Sequence, residues 1–231
     1  MSGISRPSQL SLYAERTLRA LSEESLGHKI SLGGALGLQH YLDYRPTHDV
    51  DAWWDPSANT EDRERVLRVI ESELRGSGEV RTRQWGEVVS IDLRVEGKTV
   101  FSFQIAARSA QLEPTTTVRW VDVSLDSLAD LIASKMVALV ERGAPRDFRD
   151  IYTVCAAGLT APSECWRLWQ RRQERAGSST DPHRARLAVE THLARIAQHR
   201  PLELVADPDQ REEAERVRTW FAKELLDALV D

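Results

Sequence analysis

Leu10, Tyr13, Ala14, Thr17, Leu18 and Leu21 recur at intervals of three and four, which predicts an amphipathic helix over residues 8–25 with Gly27 as its stop. Residues 30–32 are a short apolar run that ends at Gly33-Gly34, and residues 35–41 have helical composition, so a strand, a tight glycine turn and a helix follow one another. Residues 48–54 alternate. In an extended chain Val50, Ala52 and Trp54 take one side and Asp49 and Asp51 the other. Asn59 or Thr60 is placed to cap the next helix, with Val66, Leu67, Ile70 and Leu74 as its apolar face and residues 76–78 as its end. Residues 80–83, 88–95 and 100–105 read as strands, the last two joined by Glu96-Gly97-Lys98.

The pattern changes near Val123. Ser124 is a candidate cap, with Ser127 at the third position, for a helix on Leu128, Leu131, Ile132, Lys135, Met136 and Leu139 that runs to Gly143. Helical spans follow at residues 147–157, 162–175, 182–198 and 207–230, with residues 177–180 as a loose linker. The expectation is an α+β chain, mixed α/β over residues 1–123 and helical over residues 124–231.

The chain has 231 residues, 41% of them hydrophobic, which is enough to build a sizeable core. Every apolar stretch is interrupted well before the roughly 18 residues of a membrane span, so no membrane partner is expected. Met1 to Gln9 is polar and lacks the apolar centre of an export signal, which makes the cytoplasm the expected location. A net charge of −5 argues against an extended basic surface for duplex nucleic acid. Arg167, Arg171, Arg172, Arg175, Arg184, Arg186 and Arg195 form a local basic stretch that reads first as solvated helix faces. The two cysteines, Cys155 and Cys165, read as core or incidental thiols, and the seven tryptophans as core or interface residues.

The chemistry concentrates between residues 33 and 51. Asp49 and Asp51 project from one face at a spacing that a single divalent cation bridges, and two carboxylates so close, beside Trp53 and Trp54 on an otherwise buried type of strand, repel each other and suffer desolvation without one. A strand that ends in Gly33-Gly34 and enters a helix exposes amides to phosphate oxygens with no side-chain bulk in the way. Arg45 and Thr47 add a guanidinium and a hydroxyl. The parts fit attack on the α-phosphorus of a nucleoside triphosphate (NTP), with Mg2+ held by Asp49 and Asp51.

The stretch Leu32-Gly33-Gly34-Ala35-Leu36, His40 and Arg45-Pro46-Thr47-His48-Asp49-Val50-Asp51 resembles the first motif of the AbiEii/AbiGii toxin-like nucleotidyltransferases, relatives of the DNA polymerase beta superfamily. Leu131 to Leu139 around Lys135, and Arg142 to Tyr152 around Asp147 and Asp150, resemble two further motifs in the same order. The resemblance implies a polymerase-beta-like core, a mixed sheet flanked by helices, and a helical region that contributes Lys135 and Asp147/Asp150 to the cleft. There Lys135 would contact the nucleotide phosphates and one of the two aspartates would complete the catalytic set. Lys135 lies on an otherwise apolar helix stripe, where an ammonium is costly unless it meets an anion.

The resemblance also implies a third carboxylate on a later strand. Asp92 is the candidate metal ligand if that strand is the one over residues 88–95, whereas Gln104 puts a neutral amide there if it is the next one. RNA, including transfer RNA, as acceptor, an antitoxin protein as partner and a role in toxin-antitoxin or phage-defence systems are implied in the same way. Two other functions fit the same parts: a nucleotide-binding module that has lost catalysis and acts through a protein partner, and modification of an aminoglycoside-like small molecule.

Overall fold

The computed structural model describes residues 4–229, so residues 1–3 of the N-terminal segment and the expected helix end at Val230 lie outside the described residues. The chain divides into two compact units, one up to Leu131 and one from Ile132 onward, and the division falls inside a helix.

The first unit begins with α1 (Leu12–Glu23), which buries Ala14, Thr17, Leu18 and Leu21. The one polar member of that stripe is satisfied locally, because the Thr17 hydroxyl donates to the Tyr13 carbonyl at 2.8 Å. β1 (Ile30–Leu32), α2 (Gly34–Gln39) and β2 (Val50–Trp54) follow. α3 (Thr60–Arg75) starts at a reciprocal cap: the Asn59 side chain accepts the Asp62 amide at 2.9 Å and the Asp62 carboxylate accepts the Asn59 amide at 3.3 Å. Then come β3 (Glu79–Trp85), β4 (Val88–Val95), β5 (Lys98–Ala106), β6 (Thr116–Val118) and β7 (Val123–Leu125).

These strands form one mixed sheet in the order β3-β4-β5-β2-β1-β7-β6. β2 runs parallel to β5, β1 runs parallel to β7, and the other neighbours are antiparallel. Ile30, Leu32, Val50, Ala52, Trp54, Ile91, Leu93, Phe101, Phe103 and Ile105 join the buried stripes of α1 and α3 in one core. Strand alternation therefore sends Ser31, Asp51, Trp53, Ser90, Asp92, Ser102 and Gln104 to the opposite face.

The expected cap at Ser124 is corrected. Ser124 lies inside β7, paired with Ser31 of β1, because the buried Val123 and Leu125 on either side of it make the segment a strand. The helix starts at Ser127, whose Oγ accepts the Asp130 amide at 3.0 Å. That helix is α4 (Leu128–Glu141).

The second unit continues with α5 (Pro145–Ala156), α6 (Pro162–Arg175), α7 (Pro182–His199) and α8 (Pro208–Trp220), and α8 passes into a π turn at Phe221–Leu225. Each of these four helices opens on proline, whose fixed φ suits the first turn and whose missing N–H costs nothing there. Ile132, Met136, Leu139, Phe148, Ile151, Val154, Trp166, Trp169 and Phe221 are buried. The Trp166 indole donates to the Leu225 carbonyl at 2.7 Å. Among the described residues no helix is long and apolar enough to cross a membrane.

Candidate active site

The glycine turn and the acidic strand meet in the first unit. The Gly33 amide donates to the Asp51 carbonyl at 2.8 Å, and Leu32 is in register with Ala52. Gly34 has φ +56°, and a Cβ built on it would lie 2.1 Å from Asp51 Oδ2. A Cβ on Gly33 would lie 2.6 Å from Trp53 Nε1. The two glycines thus leave room for the side chains of Asp51 and Trp53 to lie directly against the turn.

Asp51 is exposed on β2, and Asp49, also exposed, sits just before the strand begins. The burial cost expected for this pair is therefore absent, and their mutual repulsion is what a cation would relieve. Arg45 and Thr47 occupy the segment leading into β2. That segment is tied down where the buried Gln39 side chain donates to the Arg45 carbonyl and where Thr47 bridges to Leu10. The Arg45 guanidinium is 5.5 Å from the Tyr44 ring.

On the other side of Asp51 stands Gln104, its register partner on the parallel strand β5. The neighbour of the acidic strand is therefore the 98–106 strand, and it presents an amide. Asp92 is on β4, one strand further out, in register with Ser102. Its carboxylate accepts from Ser90 Oγ and Ser102 Oγ, both at 2.9 Å, and from Arg83 at 2.5 Å. Burial would raise the pKa of Asp92, but these two hydroxyls and the Arg83 guanidinium hold it below the usual carboxylate value. Among the described residues no three His, Cys, Asp or Glu side chains form a metal-ligating group.

A cluster that the sequence did not signal lies on the same sheet face. Arg108 is 6.0 Å from the Trp53 ring, donates to the Ser31 hydroxyl and pairs with Asp126 at 2.5 Å and with Asp130 at 3.9 Å. Burial pushes the Asp126 carboxyl up, against the pull of Arg108. Asp130 is further held by the Leu112 and Glu113 amides at 2.7 and 3.0 Å. Tyr41 donates to the Asp126 carbonyl at 3.0 Å, and burial raises its phenol to about 12. These residues carry no periodic or motif signal; a charged residue near a strand end is legible only once its partners are in space. His40 is a core residue: burial lowers its pKa, and the Trp120 indole donates to its Nε2 at 3.3 Å.

In the second unit Lys135, Asp147 and Asp150 come together. Lys135 Nζ on α4 is 2.7 Å from Asp150 and 3.8 Å from Asp147 on α5, and Arg142 makes a two-pronged contact with Asp147 at 2.9 and 3.1 Å. Both aspartates are fully buried. The lysine thus meets carboxylates of its own chain, which explains how an ammonium is accommodated on an apolar stripe.

The model of the family described as nucleotidyl transferase AbiEii toxin, type IV toxin-antitoxin system, matches residues 16–228. No curated protein matches the chain. Among solved structures, the fold is similar to that of a protein from H. pylori described as a nucleotidyltransferase: 17% identity, 92% of this chain and 95% of that one covered, TM-score 0.51. An antigenic nucleotidyltransferase-like protein from Paracoccidioides brasiliensis is 17% identical over 88% of this chain and 93% of that one, at TM-score 0.39. The enzyme ANT(2")-Ia, in complex with adenylyl-2"-tobramycin, is 12% identical over 79% of this chain and 96% of that one, at TM-score 0.41.

Proposed function

This chain belongs to the AbiEii nucleotidyl transferase family, with its polymerase-beta-like core, and we propose that it moves a nucleoside monophosphate from an NTP to an acceptor hydroxyl in a Mg2+-dependent reaction. The observation that carries this reading is the packing of the Asp51 carboxylate on Gly34 at the end of β1, which brings the acidic strand and the glycine turn into one place.

Asp49 and Asp51 are hard oxygen donors on one face and fit a magnesium ion, with Asp92 as the further carboxylate on that face. The bound ion would neutralise triphosphate charge and lower the pKa of the attacking hydroxyl. Gly33 and Gly34 form the turn against which Asp51 packs, and with Arg45 and Thr47, the polar side chains leading into the carboxylates, they are the proposed nucleotide-binding residues. Lys135, Asp147 and Asp150 form the second polar cluster of the proposed catalytic set, in which Lys135 carries the positive charge for phosphate. RNA, including the 3' end of transfer RNA, is the proposed acceptor. An antitoxin protein is the proposed regulatory partner and the cytoplasm the proposed location.

Gln104 favours a second reading, since it puts a neutral amide beside Asp51 where a third carboxylate would serve a second metal ion. In that reading the chain binds nucleotides without turnover and acts through a protein.

The test is incubation with each α-labelled NTP and magnesium against total RNA, purified transfer RNA and an aminoglycoside. Label transfer to RNA that disappears in Asp51→Asn supports the proposal, and label on the aminoglycoside alone moves the acceptor to small molecules. NTP binding with no transfer to any acceptor supports the Gln104 reading, and transfer undiminished in Asp51→Asn overturns the assignment of the carboxylates.

A further inference from the structure

Cys155 lies in the last turn of α5 and Cys165 in the first turn of α6, and their Sγ atoms are 3.6 Å apart. They are the two cysteines of the chain, both reduced, and nucleotidyl transfer makes no use of either. A disulfide needs its sulfurs at about 2.05 Å, so about 1.5 Å of closure separates this pair from a bond, within reach of side-chain rotation and a small shift of the helix ends. The connecting segment, residues 156–161, is exposed or half-exposed, and its Gly158 and Leu159 amides donate to the Cys155 and Val154 carbonyls at 2.9 and 3.0 Å, so the closure falls chiefly to side-chain rotation.

We propose that Cys155 and Cys165 are a reversible oxidation site, closed by a hydroperoxide into an intrachain disulfide that staples α5 to α6. The half-buried Cys155 meets the oxidant, since Cys165 is fully buried and its thiol is pushed up by the contact with Cys155 and by burial. The Cys155 thiolate attacks one peroxide oxygen, the O–O bond breaks, and hydroxide leaves and is protonated to water. The Cys165 sulfur then attacks the sulfenic sulfur of Cys155, the S–O bond breaks and a second water leaves. Two thiols lose two electrons and two protons, and the peroxide takes up both. A dithiol reductant returns them by exchange. The bridge would fasten the end of α5, the helix that also carries Asp147 and Asp150, and so add stability to the second unit.

The site is readable in one peptide, because trypsin releases residues 150–167 with both cysteines and no internal Lys or Arg. The full-length protein is treated with hydrogen peroxide at a level that leaves its far-UV circular dichroism unchanged, then unfolded, alkylated and digested without reductant. The expected result is this peptide about 2 Da lighter than its dithiol form and resistant to alkylation. Dithiothreitol should restore two alkylated cysteines, and the oxidised protein should melt several degrees higher than the reduced one. The half-exposed Cys155→Ser variant should give neither the mass loss nor the Tm shift. Two alkylated cysteines after peroxide, over-oxidation of Cys155 beside an alkylated Cys165, or disulfide-linked dimers would each overturn the proposal.

Discussion

At Gly34 a single hydrogen in place of a methyl group decides whether Asp51 can sit where it does. The backbone is left-handed, φ +56°, and an alanine Cβ would lie 2.1 Å from Asp51 Oδ2. Gly34→Ala should cost about 1–2 kcal/mol of stability and lower transfer by about 100-fold, since displacing a reacting group by about 1 Å has that effect. Gly76 is the control: its φ is −69° and a Cβ there meets nothing within 4 Å. Gly76→Ala should be neutral to slightly stabilising, by about 0.5 kcal/mol, with unchanged activity. Urea melts and the label-transfer assay read both.

Asp92 gives a pH signature at the same scale. Its folded pKa lies below the ordinary carboxylate value, so the stability it contributes is present above the unfolded pKa of about 3.9 and is lost as pH falls through the folded one. Asp92→Asn should be less stable than wild type at neutral pH and should lose less stability on acidification below about pH 4, as measured by denaturant midpoints across that range. Single residues were legible where a pattern isolates them. Asp49, Asp51, Gly33 and Gly34 stand out by alternation and adjacency, whereas Arg108, Asp126 and Ser31 are joined only by the fold and carry no signal along the chain.

Between elements, α4 and α5 are linked by the buried ions Lys135, Asp147 and Asp150. Lys135→Met removes the ammonium 2.7 Å from the buried Asp150 while Asp147 keeps Arg142, and should destabilise the protein by about 3–5 kcal/mol in chemical denaturation. Lys135→Met combined with Asp150→Leu should recover a large part of that loss, because it removes a buried charge together with its partner. Activity separates the roles: if Lys135 serves phosphate as well as folding, the stable double variant remains inactive. The helices themselves were legible from their apolar periods and their proline starts, as Pro162–Arg175 illustrates. β6 and β7 were not, because three-residue strands such as Thr116–Val118 are too short to display alternation, and β7 draws its order from β1 beside it and β6 from β7. That same brevity made Ser124 read as a cap.

Across the whole molecule, the first unit carries the mixed sheet with Asp49, Asp51, Gly33 and Gly34, and the second is a helical unit with its own tryptophan-rich core. The order of β-rich and helical segments followed from the change in hydrophobic period near Val123. The order of strands within the mixed sheet did not, because it depends on contacts between segments far apart in sequence, such as β2 with β5. The account depends on one physical claim, that Asp49 and Asp51 hold a divalent ion together with a nucleotide. Titration of Mn2+ as a paramagnetic stand-in for magnesium, followed by electron paramagnetic resonance with NTP present, measures this directly. Wild type should bind the ion with an affinity that Asp49→Ala/Asp51→Ala weakens at least about 10-fold, and equal Mn2+ binding by the two proteins would contradict the claim.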